Sequence, residues 1–272
     1  MQSSWSKFLS GISRLVFVAL VLPSVRSFTV VWGRARQRIK ANRLSRFATD
    51  DGCYSQGNLL GSIDYLEQDY FALRHGQSLA NVAGIILSDP ARACAEYGLS
   101  DAGKEQAERA ADDVRRAFQS KDYGGLVILA SDLLRAKETA TIVCDKNSDL
   151  PVLQDQVILE TRLRERWFGE WDGSSDSNYN KVWQEDAVDA SHTIKGVEAV
   201  YDVMARTTRC ILEWDERLSS SYEKRCMVVL VAHGDVLQIL QTAFEKKDGR
   251  NHRDLQHLET AQLRQLNLPT TS

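Results

Sequence analysis

Apolar residues along this chain fall into two kinds of run. Short continuous runs at Tyr70-Phe71-Ala72-Leu73, Gly125 to Ala130 and Met227 to Ala232, with a fourth near 261–266, have the length of buried strands. Longer stretches between them repeat at helical spacing. Ser100 to Phe118 places Ala107, Ala110, Ala111, Val114, Ala117 and Phe118 on one face opposite charged residues. Gly196 to Trp214 does the same through Val200, Val203, Met204, Ile211 and Trp214. Helices alternating with apolar strands predict an α/β fold, a three-layer α/β/α sandwich around a mostly parallel central sheet. No internal repeat interrupts it.

Open sheets of this kind place ligands at the carboxyl ends of their strands, so the residues that end each run matter most. The first run ends in Arg74-His75-Gly76. Neutral imidazole is a good nucleophile near neutral pH, a guanidinium suits phosphate oxygens, and glycine permits a tight turn. Gln77, Ser78 and Asn81 follow on the first turn of a predicted helix, whose free amides favour an anion. The second run ends in Ser131-Asp132, with either as N-cap of a helix that carries Arg135 near its start. Another run ends in His233-Gly234. Leu163 to Gly173 has two glycines and three aromatics that break regular periodicity, so it is a shaped loop. It carries Glu165, Glu170 and Asp172, and a carboxylate against aromatic surface can be raised in pKa to serve as a proton donor. Taken singly, each residue has an ordinary alternative, as a hydrogen-bonded histidine, a surface arginine or a solvated acid.

Together these segments resemble the histidine phosphatase superfamily, with its phosphoglycerate-mutase-like fold, over about Tyr70 to Leu266. The pattern R-H-G-x-S-x-x-N is matched by Arg74 to Asn81, and S-x-L-x-R-A-x-x-T-A by Ser131 to Ala140. L-x-E-x-x-F-G-x-W-E-G is matched by Leu163 to Gly173, with Asp172 in place of the usual glutamate, and the second H-G turn lies at His233. A softer match at Gly196 to Val200, with Asp202 and Arg206, has Ala199 where a serine is usual; a first-turn helix dipole accounts equally well for Glu198.

The resemblance implies a phosphomonoester hydrolase working through a phosphohistidine on a small phosphorylated metabolite. His75 is then the nucleophile, Arg74, Arg135 and His233 hold the equatorial oxygens, and Glu165 is the acid and base. Ser78 and Asn81 join the phosphate-binding set, with no metal and no cofactor. The alternatives are a phosphoglycerate mutase, and a protein-directed phosphatase or inactive binding module. The F-x-G-W-x-D-x-x-L segment usual in such mutases is not found between Asn81 and Leu99, and every chemical position survives. Two polar stretches, Ser88 to Gly98 and Gly173 to about Lys195, are expected to overhang the site as inserted cap loops. Arg92, Lys181, His192 and Lys195 are their candidates for substrate contact.

Charge divides the chain. Nine basic residues and no acid precede Asp50, so the net −3 separates into +9 for the leader and −12 for the remainder. An acidic enzyme portion argues against nucleic acid as a partner. In the leader, Lys7 and Arg14 precede the apolar run Leu15 to Leu22, Pro23 and a small-residue site near Ser27, as in a signal peptide over 1–27. The run is short for a membrane span, so no stable span is expected after leader removal. Phe28 and the arginine-rich tract after it resemble bipartite plastid presequences, giving a targeting presequence or linker over 28–65 and a catalytic domain over 66–268. Mitochondrial import and an uncleaved membrane anchor are the alternatives. Five cysteines without C-x-x-C spacing indicate neither a disulfide framework nor zinc. Oligomeric state is not encoded in any motif.

Overall fold

The structure is a computed structural model that describes residues 57–153 and 157–269. The expected signal peptide and most of the expected presequence lie outside these residues.

Each predicted run forms its strand: β1 is Asp69–Arg74, β2 Leu126–Ala130, β4 Met227–Ala232 and β5 Leu263–Leu266. A two-residue strand, β3 (Ile158–Leu159), was not anticipated, being too short to show a period. The sheet order is β3-β2-β4-β1-β5. All pairings are parallel except β1 with β5.

Alternate residues of each strand feed opposite cores. Tyr70, Ala72, Val127, Leu129, Val228 and Leu230 pack on one side with Ile211, Trp214, Leu237 and Leu240. Those residues belong to α6 (Val200–Ser221) and α7 (Gly234–Phe244), numbered in chain order among helices of four residues or more. Phe71, Leu73, Ile128, Val229 and Val231 pack on the other side with Ala110, Val114 and Ala140, from α3 (Asp101–Gln119) and α4 (Leu134–Lys146). The result is the expected three-layer sandwich. The period of two along each strand makes the central layer, because successive side chains leave on opposite faces.

Two expectations need revision. Gly173 to Lys195 is not all loop, because α5 (Tyr179–Val188) runs through it with Val182 and Asp186 buried. Its polar composition hides a weak amphipathic period. Ser88 to Gly98 likewise contains the single turn α2 (Pro90–Ala93), capped by Asp89. At the other end of the domain, residues 57–65, grouped with the leader by composition, pack onto the core through Leu60 and Ile63. No helix among the described residues is long and apolar enough to cross a membrane.

The register places the strand ends together. β1 and β4 pair Arg74 with Ala232, and β2 and β4 pair Ala130 with Val231. The next residues, His75, His233 and Ser131, therefore emerge side by side at the carboxyl ends of the three central strands. Helix α3 then locks the first of these turns. Its N-cap Ser100 accepts from the Gly103 amide, and the Ser100 amide donates to the Gln77 carbonyl at 2.9 Å. The two backbones touch closely enough that a Cβ on Gly103 would lie 2.0 Å from the Gln77 carbonyl oxygen. Gly103→Ala is expected to lose about 1–3 kcal/mol by overpacking, read as a lower midpoint in chemical denaturation. An unchanged midpoint would show that the helix and the His75 turn are not held in register by this contact.

Candidate active site

His75 is 3% exposed, and its backbone amide donates to the Ala232 carbonyl at 3.0 Å. Its Nδ1 lies 2.7 Å from the Gly76 carbonyl oxygen. A carbonyl can only accept, so Nδ1 carries the proton and Nε2 keeps its lone pair. Arg135 Nε donates to that nitrogen at 3.1 Å. Burial first, then Arg135 and Arg74, hold the His75 pKa well below the ordinary imidazole value, so the ring is neutral at physiological pH.

Arg135 lies in the first turn of α4. Neither Ser131 nor Asp132 is the N-cap; Leu133 occupies that position without a side-chain cap. Ser131 is instead committed to the site, its hydroxyl 2.9 Å from His233 Nε2, and Asp132 is taken by Arg164 at 2.7 Å. Arg135 also donates from Nη2 to the Leu87 carbonyl at 3.0 Å, and its Thr139 neighbour on α4 accepts from the Gly76 amide. This ties the two strand-end turns together.

His233 is fully buried, its ring centroid 5.2 Å from that of His75 at 61°. Burial, and then Arg135, keep it neutral as well. Arg74 donates from Nη1 to the Leu258 carbonyl and reaches His257 Nε2 at 2.8 Å. Arg74 Nε, Arg135 Nη1 and His233 Nδ1 are buried with no partner among the described residues. Unpaired buried polar groups are costly, and the two guanidinium N–H groups in the cavity with His75 are suited to the oxygens of a tetrahedral anion.

Ser78 and Asn81 also line the cavity. Ser78 is the N-cap of α1 (Leu79–Ala83), and Asn81 closes the capping box with it. The Ser78 hydroxyl and amide both donate to Asn81 Oδ1, at 2.9 and 3.0 Å.

The three loop carboxylates separate once the chain is folded. Glu170 is exposed beside Lys195. Asp172 accepts from the Ser88 hydroxyl and the Asp89 amide, so it pins a neighbouring loop. Only Glu165 enters the cavity with His75. Burial, then Asp235, push its pKa up to about 7, against the opposing pull of Arg135, the Arg166 amide and Arg74. It is therefore protonated over a useful range near neutrality.

Glu165 is held there by two arginines that sequence reasoning did not single out for this role. Arg166 is fully buried and clamps both oxygens of Asp186 at 2.7 Å, with Asp235 at 3.2 Å. Arg206 pairs with Glu198 at 2.7 Å and donates to the Arg162 carbonyl at 2.6 Å, bracing the segment that precedes Glu165. Glu198 precedes α6 rather than occupying its first turn, so this ion pair, more than a helix dipole, accounts for it.

The cavity has a volume of about 230 Å³. Of the residues expected from the sequence, Arg74, His75, Ser78, Asn81, Arg135 and Glu165 line it, whereas the fully buried His233 is not among its lining residues; Tyr179, Trp183, Asp235, Arg253 and His257, none of which carried a sequence motif, complete it. Tyr179 and Trp183 stack one helical turn apart on α5, with ring centroids at 5.4 Å. That spacing was the available signal, obscured by the polar residues around it. The four cap candidates do not line the cavity. Arg92 pairs with Glu96, His192 with Asp186, and Lys181 and Lys195 lie over Trp171.

Residues 70–270 match the model of the histidine phosphatase superfamily (branch 1). A glucosyl-3-phosphoglycerate phosphatase of Mycobacterium tuberculosis is 30% identical over 184 residues, covering 64% of this chain and 74% of that protein. A phosphoglycerate mutase-like protein of Arabidopsis thaliana is 28% identical over 187 residues, covering 65% and 70%. Among solved structures, a mycobacterial glucosyl-3-phosphoglycerate phosphatase complexed with VO3 superposes with a TM-score of 0.57 at 29% identity. The match covers 73% of this chain and 92% of that one.

The raised Glu165 pKa has a thermodynamic consequence. Between the ordinary carboxyl value and about 7, the folded protein keeps a proton that the unfolded chain has released, so this residue's contribution to stability is lost as pH rises through about 7. Glu165→Gln, neutral throughout, is expected to gain up to about 3 kcal/mol relative to the parent on going from pH 5 to pH 8. Urea denaturation at the two pH values measures this; a parallel shift of both proteins would contradict it.

Proposed function

The chain belongs to branch 1 of the histidine phosphatase superfamily, and from that membership we propose that it hydrolyses phosphomonoesters of small metabolites through a phosphohistidine at His75. The observation that carries this is the Gly76 carbonyl on His75 Nδ1, which leaves Nε2 as the basic nitrogen in a cavity bearing Arg74, Arg135 and Glu165.

In the first half-reaction, Nε2 attacks phosphorus in line with the ester oxygen. Arg135 turns from the nitrogen lone pair to the phosphoryl oxygens, which it shares with Arg74 and His233, with Ser78 and Asn81 at the cavity wall. Stabilising charge spread over those oxygens is the main demand of phosphoryl transfer. The N–P bond forms, the P–O ester bond breaks, and the Glu165 carboxyl gives its proton to the departing alkoxide. In the second half-reaction, the Glu165 carboxylate takes a proton from water as the water oxygen attacks phosphorus. The Nε2–P bond breaks with its electron pair returning to the imidazole, inorganic phosphate leaves, and neutral His75 and protonated Glu165 are restored. No step calls on a metal.

Hydrolysis is favoured over mutase chemistry by the phosphatases among the relatives, which are named for a glucosyl-3-phosphoglycerate, a small phosphorylated sugar derivative. A cavity of about 230 Å³ suits a metabolite of modest size. The basic leader supports delivery to an organelle, with the plastid route preferred to the mitochondrial one.

His75→Ala is expected to abolish turnover and covalent labelling by substrate phosphate. Near-normal hydrolysis by that variant would remove the nucleophile assignment. With an alkyl phosphate as substrate, kcat/KM should decline as pH rises through about 7, where Glu165 loses its proton. Glu165→Gln should remove that dependence and slow poor leaving groups far more than p-nitrophenyl phosphate. Isomerisation of a phosphoglycerate without phosphate release would replace the hydrolase by a mutase.

A further inference from the structure

Three guanidinium side chains line the cavity, and the scheme above employs Arg74 and Arg135. The third is Arg253, from the segment between α7 and β5. Its Cζ sits 3.7 Å from the centroid of the Trp183 ring. Trp183 is itself fixed, its indole N–H donating to Asp235 Oδ1 at 2.9 Å and its ring stacked on Tyr179. A guanidinium held against an aromatic face keeps its N–H edge available to a planar anion. Arg253 Nη1 is buried without a hydrogen-bond partner among the described residues. Asp235 Oδ1 is 3.8 Å away, too far for a hydrogen bond.

His257 supplies a second unpaired donor to the same wall. Its Nε2 faces Arg74 Nη1 at 2.8 Å. A guanidinium has no acceptor, so Nε2 accepts and the proton of the neutral ring lies on Nδ1. Burial, then Arg74 and Arg253, lower the His257 pKa and favour that neutral ring. Nδ1 is also buried and unpartnered among the described residues. Two buried N–H donors without acceptors, on two residues of one cavity wall, are costly to keep unless a ligand oxygen meets them.

We propose that Arg253 and His257 form a second anion subsite that reads a carboxylate on the substrate whose phosphoryl group Arg74 and Arg135 hold. The proposal rests on the phosphatase assignment of this cavity. Arg74 joins the two halves, since its Nη1 holds His257 while its Nε remains for the phosphoryl group. The small cavity sets the two anionic groups a few bonds apart, so the substrate class is a phosphorylated hydroxy acid.

Arg253 also lies near Asp235, and a role confined to balancing that charge would alter stability and affect all substrates alike. 3-Phosphoglycerate and glycerol 3-phosphate separate these possibilities, because they share a carbon skeleton and differ in the carboxylate. The full chain is expected to prefer the acid, and Arg253→Met to lower the ratio of the two kcat/KM values by about 10- to 100-fold, the effect of one charge-assisted hydrogen bond. The loss should appear in KM. Arg253→Lys, which keeps the charge but loses the planar edge, should reduce the ratio by a smaller factor, and it serves if the methionine variant does not fold. Calorimetric binding of the same pair to His75→Ala reads the preference without turnover. If neither ester is hydrolysed but the binding preference persists and depends on Arg253, the phosphatase assignment fails and the subsite stands. No preference for the acid in the parent protein, or an equal loss on both probes, overturns the subsite.

Discussion

The parallel pairing of β1 with β4 is the constraint on which the rest of this site depends. Its register sets Arg74 level with Ala232, so His75 and His233 leave the sheet as neighbours with ring centroids 5.2 Å apart. A slip of one residue along either strand would exchange the side chains it sends into the two opposite cores, mismatching the packing of both, and would separate the histidines. The apolar alternation that builds the sandwich therefore also aligns the chemistry. Helix α3 adds a second restraint by laying Gly103 directly against the His75 turn, where no side chain fits.

Burial converts that alignment into reactivity. A carbonyl acceptor on Nδ1 chooses the tautomer, and exclusion from water keeps both imidazoles neutral beside two arginines. The same exclusion favours the protonated form of Glu165. Asp235, which burial alone would push toward neutrality, stays below the ordinary carboxylate value because Arg166, His252 and Arg253 surround it. Arg166, with Asp186 on α5 and Asp235 on α7, forms a buried bracket between the inserted segment and the sheet. Breaking such a bracket from one side strands a charge, which costs several kcal/mol, so the loop carrying Glu165 has little freedom to move.

Much of the central layer was legible because its signals are local. A strand buried on both faces reads as a continuous apolar run, and an amphipathic helix as a stripe, whatever else the chain does. The motifs of the candidate site were legible for a related reason: residues at a strand end and in the turn after it lie beside the crevice. Arg74, His75, Arg135 and His233 all have that position. Glu165 was named among three acids of one loop, but its separation from Glu170 and Asp172 came from partners distant in sequence, Lys195 and the Ser88 turn. The cap candidates could not be sorted by composition either. Arg92, Lys181, His192 and Lys195 are polar residues in the expected stretches, yet each finds a local partner away from the cavity.

By itself, then, the amino-acid order determined the layer architecture, the positions of the strand-end histidines and arginines, and the family to which the chain belongs, since these follow from short-range periodicity and contiguous motifs. Tertiary structure alone decided which nitrogen of His75 carries the proton, which loop acid is buried in the cavity, and that Tyr179, Trp183, Arg253 and His257 complete it. Those properties depend on burial and on contacts between residues far apart along the chain. Arg253 and Trp183 are 70 positions distant in sequence and 3.7 Å apart in the fold, a proximity that only the packing of α5 beside the segment before β5 creates.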